Sequence, residues 1–173
     1  MSWLLGIVLL GVTINPPRRR LELGDDRQAV AVAAALTLAA VLVLGALGDW
    51  ILTSLDISGP TFRVAVGLVL VARGVLDLIR APAPPVDRPG GSGVVVPVFF
   101  PVLFRPELGL VAISVAVDAG LWPMAIGAGA GLALVVGAVS LDRARYLRAL
   151  GAALSTALIV LAVDRLVDGV FAL

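Results

Sequence analysis

The chain has no cysteine, no histidine and no lysine, and charged residues make up only 14% of its 173 positions. Each absence excludes a chemistry. Without Cys there is no disulfide and no thiolate nucleophile, and without His no imidazole general acid or base; lacking both, the chain cannot build the usual zinc sites. All 13 basic residues are arginines, offset by 12 acids to a formal net charge of +1. That balance leaves no bulk positive field for nucleic acid. A soluble domain carries about 25% charged residues, whereas this sequence is 60% apolar with a mean hydropathy of +1.09. The length fits one domain, 1–173, and the composition predicts an all-α membrane protein. Any site must use carboxylates, arginines, hydroxyls, amides or backbone, and no cofactor is expected.

A membrane-spanning helix needs about 20 mainly apolar residues, so the spacing between charges measures the spans. Gln28–Gly48 and Ala119–Leu141 are free of charge. Ala149–Leu173 is apolar apart from Asp164, Arg165 and Asp168. Pro60–Ile79 contains Arg63, Arg73 and Asp77, and Val94–Val117 contains Arg105, Glu107 and three prolines. The first stretch, Ser2–Pro16, rises only ~22 Å as a helix against a ~30 Å hydrocarbon core. It reads as a short or broken first helix without the features of a removable signal peptide. Six transmembrane helices result.

Sorting the arginines gives an orientation. With the N-terminus outside, the loops after the first, third and fifth helices hold Arg18, Arg19, Arg20, Arg27, Arg80, Arg88, Arg143, Arg145 and Arg148. The opposite loops, around Asp49–Gly59 and Asp118–Pro123, hold none. The positive-inside rule therefore predicts a multi-pass protein of the plasma (inner) membrane with both termini outside, and places Trp3, Trp50 and Trp122 at the outer interface, where indole rings accumulate.

Residues 81–93, APAPPVDRPGGSG, read as a cytoplasmic linker between two repeats, 1–80 and 94–173. Three crossings in each half give them opposite topology, a 3+3 inverted repeat. Aligning Asn15-Pro16 with Arg105-Pro106 puts a proline-broken first helix in each half, and interrupted helices in matching positions are the best pointer to a transport site.

Two motifs carry a family resemblance. Ile57-Ser58-Gly59-Pro60-Thr61-Phe62-Arg63-Val64-Ala65-Val66-Gly67 resembles the ISxPAFRIAGG signature of the MarC family of bacterial inner-membrane proteins. VPVFFPVLFRPELG, with Pro97, Pro101 and Pro106, is similar to that family's VPLAIPLLAGPGAI, and Asn15-Pro16 matches the start of its NPxGxxP motif. The likeness runs from about Ile14 to the end of the fourth span, beyond which only hydropathy matches. Pro17-Arg18-Arg19-Arg20-Leu21 stands where the family has a glycine and a second proline, and Arg105 and Glu107 stand where it has glycines. The chain thus looks like a divergent member, or a relative within the wider group that includes LysE-type exporters. The resemblance implies a six-span protein with inverted repeats and export of a small molecule.

Arg105-Pro106-Glu107 is the sharpest local feature. Arg105 lies about twelve residues into its span, ~18 Å deep, where a charge costs about 2.5–3.5 kcal/mol unless paired or hydrated. Pro106 breaks the helical hydrogen bonding. The three residues either line a polar cavity or form a hairpin turn at the aqueous surface. Arg73 and Asp77 share a helix face at i, i+4; they form an interfacial ion pair, or a coupling or gating pair with Asp164 as an alternative partner. Arg63 makes a structural ion pair with Asp56 or Asp118, or contacts substrate. Asn15 and Pro16 either cap the first helix or offer an amide to substrate. Arg18–Arg20 read as a lipid anchor, worth about 1 kcal/mol per charge. Gly127 and Gly131 form a GxxxG for close packing within the bundle or between protomers.

The sequence supports two function classes. One is a secondary transporter or exporter of a small anionic or zwitterionic molecule, with a site at Asn15, Pro16, Arg63, Arg105, Pro106 and Glu107 and coupling groups Arg73, Asp77 and Asp164. The other is a non-transporting accessory or assembly subunit docked on a membrane partner. The expected partners are the lipid bilayer, a small-molecule substrate and either a second copy or another membrane protein, with no nucleic acid. No acid/base constellation for an enzyme can be placed.

Overall fold

The computed structural model describes residues 2–23, 26–82, 94–138 and 144–173, and among these it contains helices and no strand. The order is α1 (Trp3–Ile14), α2 (Pro16–Glu22), α3 (Arg27–Ala46), α4 (Gly48–Ser54), α5 (Gly59–Ile79), a π-helical segment π1 (Val94–Leu103), α6 (Pro106–Ala119), α7 (Leu121–Gly137) and α8 (Ala144–Phe171). The local causes are visible in the sequence. Ser2, Asp26 and Ser58 accept a backbone N–H at the starts of α1, α3 and α5, each satisfying a donor that the first turn leaves open. Pro16, Pro60 and Pro106 sit in first turns, where a missing N–H costs nothing.

All six apolar stretches are helical over most of their described residues, with differences at their ends. The first does not give way to a basic loop. Asn15 adopts left-handed backbone angles (φ 50°, ψ 65°), its own N–H closes α1 on the Gly11 carbonyl, and its side chain caps α2. The chain therefore turns and restarts as a helix that carries the arginines. The expected loop Asp49–Gly59 contains the short helix α4. Helix α7 has 17 residues and ends at Gly137, a rise of ~25 Å; Leu141 and Arg143 lie outside the described residues, as do 83–93 of the linker, including Arg88. Helices α3 and α8 are each long and apolar enough to cross a membrane. The 21-residue α5 matches α3 in length but carries Arg63, Arg73 and Asp77.

Glycines set the helix contacts and reveal their directions. Gly67 faces Ala162 and Leu166, Gly74 faces Ser155 and Ile159, and Gly169 faces Pro60 and Val64, so α5 and α8 run antiparallel. Gly127 faces Ile7 and Leu10 while Gly131 faces Gly11 and Ile14, so α1 and α7 run parallel and the GxxxG packs within the chain. Leu44 meets Gly109, and Gly48 meets Ile113 and Val117, so α3 and α6 are also parallel. Leu9, Leu10, Val41, Val111, Val115 and Met124 fill the space between these four helices.

A Cβ on Gly67 would lie 2.9 Å from the Ala162 carbonyl oxygen and 3.0 Å from the Leu166 nitrogen, backbone atoms that cannot rotate away. Gly67→Val is therefore expected to separate α5 from α8 at a cost of about 1–3 kcal/mol, read as a lowered thermal midpoint in detergent. Gly129→Ala, where a Cβ meets open space, should leave the midpoint unchanged or raise it.

Several contacts of the elements on either side of residues 81–93 correspond, whereas α1·α8 and α6·α7 have no counterpart of similar extent. When π1, α6, α7 and α8 are set against α1, α2, α3 and α5, the α1·α7 contact answers α3·π1, α3·α6 answers α2·α7, and α2·α8 answers α5·α6. The α3·α7 and α5·α8 contacts map onto themselves. Around the apolar core, the distribution of the remaining side chains departs from that of a water-soluble bundle. Trp3, Trp50, Leu68, Trp122, Leu134, Val160 and Phe171 are exposed, while Arg18, Arg19, Glu22, Asp77 and Arg165 are buried.

Candidate functional site at the helix breaks

The two breaks are built differently. Asn15 is buried, and its amide donates to the Gly151 carbonyl at 3.1 Å and to Ser155 Oγ at 3.0 Å, while its Oδ1 accepts the Arg18 N–H at 3.4 Å. Ser155 in turn donates to the Gly151 carbonyl at 3.0 Å. The Asn15 side chain thus ties the first break to α8, and neither it nor the buried Pro16 lines the neighbouring cavity. At the second break Arg105 is extended (φ −117°, ψ 150°) and Pro106 begins α6. The Arg105 Nε donates to the Pro101 carbonyl at 3.3 Å, and its Nη2 donates to Glu22 at 2.9 Å.

That last bond joins the second break to a network of buried charge. Glu22, on α2, also accepts from Arg19 at 2.7 Å and faces Arg18 Nε at 3.5 Å. Asp77, on α5, accepts from Arg73 Nη2 at 2.6 Å and faces Arg18 Nε at 3.2 Å. The Arg18 guanidinium also donates to the carbonyls of Asp77 and, at 3.1 Å, Arg80. Arg73 Nε stands 3.2 Å from Glu107 Oε1. The local pairs result from helical spacing, Arg18 and Arg19 lying four and three residues before Glu22 and Arg73 four before Asp77. The Arg18–Asp77 and Arg105–Glu22 links depend on the tertiary fold. Four arginines and three acids are so joined, and three of the seven are nearly sealed: the side chains of Arg19, Glu22 and Asp77 are each 4% exposed. Arg18, Arg73, Arg105, Glu22, Asp77 and Glu107 line a cavity of about 460 Å³ with Arg80 and Pro106 at its exposed rim.

A second cluster lies toward the opposite end of α5 and α6, ten residues from Arg73 and eleven from Glu107, or roughly 15 Å along each helix. Arg63 grips Asp118 through Nε at 3.0 Å and Nη2 at 2.7 Å, a two-pronged geometry that favours Arg over Lys. Arg165 donates to the other carboxylate oxygen at 2.7 Å. Asp118 so joins α5, α6 and α8, and of the two acids expected opposite Arg63 it is Asp118, not Asp56, that pairs.

The structure thus brings Arg73, Asp77, Arg105, Pro106 and Glu107 together and leaves Asn15 and Pro16 behind them. Asp164 is exposed on α8, nine residues beyond the Ser155 that faces Gly74, and stands apart from the Arg73–Asp77 pair. Arg18 and Arg19 are buried in ion pairs rather than spread on a lipid surface, because α2 folds back onto the bundle. Glu22 and Ser155 were not singled out from the sequence. The Arg18/Arg19/Glu22 spacing signalled the first once a helix was assigned there; Ser155, a hydroxyl in an apolar helix, had no signal beyond its polarity. Among the described residues no group of three or more metal-ligating side chains lies together. No family model, curated protein or solved structure matches the chain.

Proposed function

We propose that this chain is a six-span membrane transporter, built as a 3+3 inverted repeat, that moves a small anionic or zwitterionic molecule through the cavity at its helix breaks. The observation that carries this reading is the cavity of about 460 Å³, lined by paired charges from both halves of the chain. Buried charge in an apolar-surfaced bundle marks a pathway or substrate site by default, and irregular backbone within a membrane is tolerated where it lines a cavity. The exposed tryptophans and leucines supply the lipid-facing surface. The matching contacts of the two halves support the inverted repeat, and the likeness of the Ile57–Gly67 and Val96–Gly109 segments to the MarC family agrees with it. Within this reading both termini are outside, the cavity opens to the cytoplasm near Arg80, and the Arg63–Asp118–Arg165 cluster closes the outer side. The glycine pair Gly127/Gly131 is occupied by α1, so it no longer counts toward an accessory subunit docked on a partner.

The absence of cysteine makes topology directly testable. Ser2→Cys and Ala172→Cys should react with an impermeant maleimide in intact cells, and Ser92→Cys only after lysis; labelling of Ser92→Cys in intact cells would reject the orientation. Proteoliposomes carrying the purified chain should accumulate radiolabelled lactate or alanine above protein-free liposomes, and Arg105→Ala should lower that uptake at least tenfold. Uptake of neither solute would reject the transport reading. A stoichiometric protein partner on purification would favour the accessory subunit.

A further inference from the structure

The charges lining the cavity do not cancel. Arg18, Arg73, Arg105 and, at the exposed rim, Arg80 face Glu22, Asp77 and Glu107, leaving one positive charge in excess. The hydrogen bonding is incomplete in a matching way. Among the described residues, the buried donors Arg18 Nε, Arg73 Nε and Arg105 Nη1 and the buried acceptor Glu107 Oε1 make no hydrogen bond, although Arg18 Nε lies 3.2 Å from the Asp77 carboxylate. The Arg73 and Glu107 atoms are 3.2 Å apart without being aligned to bond. Arg18, which supplies one of these idle donors, has a side chain only 10% exposed. Orphaned buried groups carry a desolvation cost that a ligand can relieve, and an uncompensated buried cation is costlier still.

We propose that the ligand of this cavity is a monoanion carrying one hydrogen-bond donor, a small hydroxycarboxylate rather than an amino acid, an inference that rests on the reading of the cavity as the transport site. A carboxylate cancels the excess charge and accepts from Arg105 Nη1 and Arg73 Nε. A hydroxyl on the adjacent carbon donates to Glu107 Oε1. A zwitterion satisfies the donors and the acceptor but leaves the positive charge uncancelled; a plain carboxylate cancels the charge but leaves Glu107 Oε1 unserved.

Three solutes of one carbon skeleton separate these terms. Calorimetric titration of the detergent-solubilised chain at neutral pH with lactate, propionate and alanine should give lactate the tightest binding, with propionate and alanine each at least about tenfold weaker, the scale of one hydrogen bond to a charged group. Glu107→Leu should erase the difference between lactate and propionate. Arg105→Ala, which removes the excess charge, should erase the advantage of lactate over alanine. Alanine binding as tightly as lactate to the unmutated chain would overturn the monoanion while leaving the site in place. Propionate equal to lactate would overturn the donor. Binding of none of the three would overturn this inference and the reading of the cavity with it.

Discussion

Glu22→Ala is expected to lower stability by about 3–5 kcal/mol, the cost of breaking a buried ion pair by removing one partner, and to lower the thermal midpoint in detergent by roughly 10 °C. Three guanidinium groups share this carboxylate, from Arg18, Arg19 and Arg105. Of these, Arg19 has nowhere to go, because its side chain is 4% exposed and its Nε is already committed to the Ile14 carbonyl. The loss would leave Asp77 and Glu107 against four arginines, so the damage should reach the Arg105 break and the first break alike. Glu22→Gln keeps an acceptor oxygen and should fall between the two. A midpoint for Glu22→Ala within 1 °C of the unmutated chain would show that water hydrates the network and that it is not a sealed one.

Asp118→Ala should be of similar size, about 3–5 kcal/mol, for a different reason. Arg63 is 29% exposed on its side chain and can turn outward, whereas Arg165, at 4%, is held inside the bundle. The cost therefore comes chiefly from Arg165, whose buried guanidinium loses its 2.7 Å carboxylate partner. Ion pairs of this kind seldom stabilise more than well-packed apolar side chains do, since two desolvation penalties offset the Coulomb attraction. Replacing Arg63, Asp118 and Arg165 together by leucine, leucine and methionine should accordingly recover most of the stability that Asp118→Ala loses. Recovery of the midpoint combined with loss of solute uptake would separate a gating role for the cluster from a structural one. A triple variant as unstable as Asp118→Ala would show that the pair geometry itself holds α5, α6 and α8 together.

The helices were legible because apolar runs are local signals. The charge-free run after Gln28 and the apolar run after Pro60 each announce their helix, and the observed bounds of α3 and α5 lie within two residues of the spans read from charge spacing. The proline breaks at Pro16 and Pro106 were equally legible, since a missing N–H has the same consequence in any surroundings. The path of the chain beyond Pro16 was not legible. Pro17-Arg18-Arg19-Arg20 has the composition of a membrane-surface loop, and only the left-handed turn at Asn15, fastened to Gly151 and Ser155, folds it inward as α2.

The amino-acid sequence by itself determined the absence of thiol and imidazole chemistry, the helical segments, their breaks, and the short list of arginines and acids set among apolar residues. It also determined the pair that lies one turn apart on α5, Arg73 with Asp77, because helical spacing alone brings them within reach; the pairing of Arg18 and Arg19 with Glu22 waited on the fold that makes α2 a helix. Only the tertiary structure decided which of the remaining charges meet: Arg105 with Glu22 across 83 residues, Arg63 and Arg165 on Asp118, and Asp164 with neither network. Opposite charges attract at any separation in the chain, so their partners are chosen by the helix packing that the glycines of α5, α7 and α8 permit, and that packing belongs to no single segment.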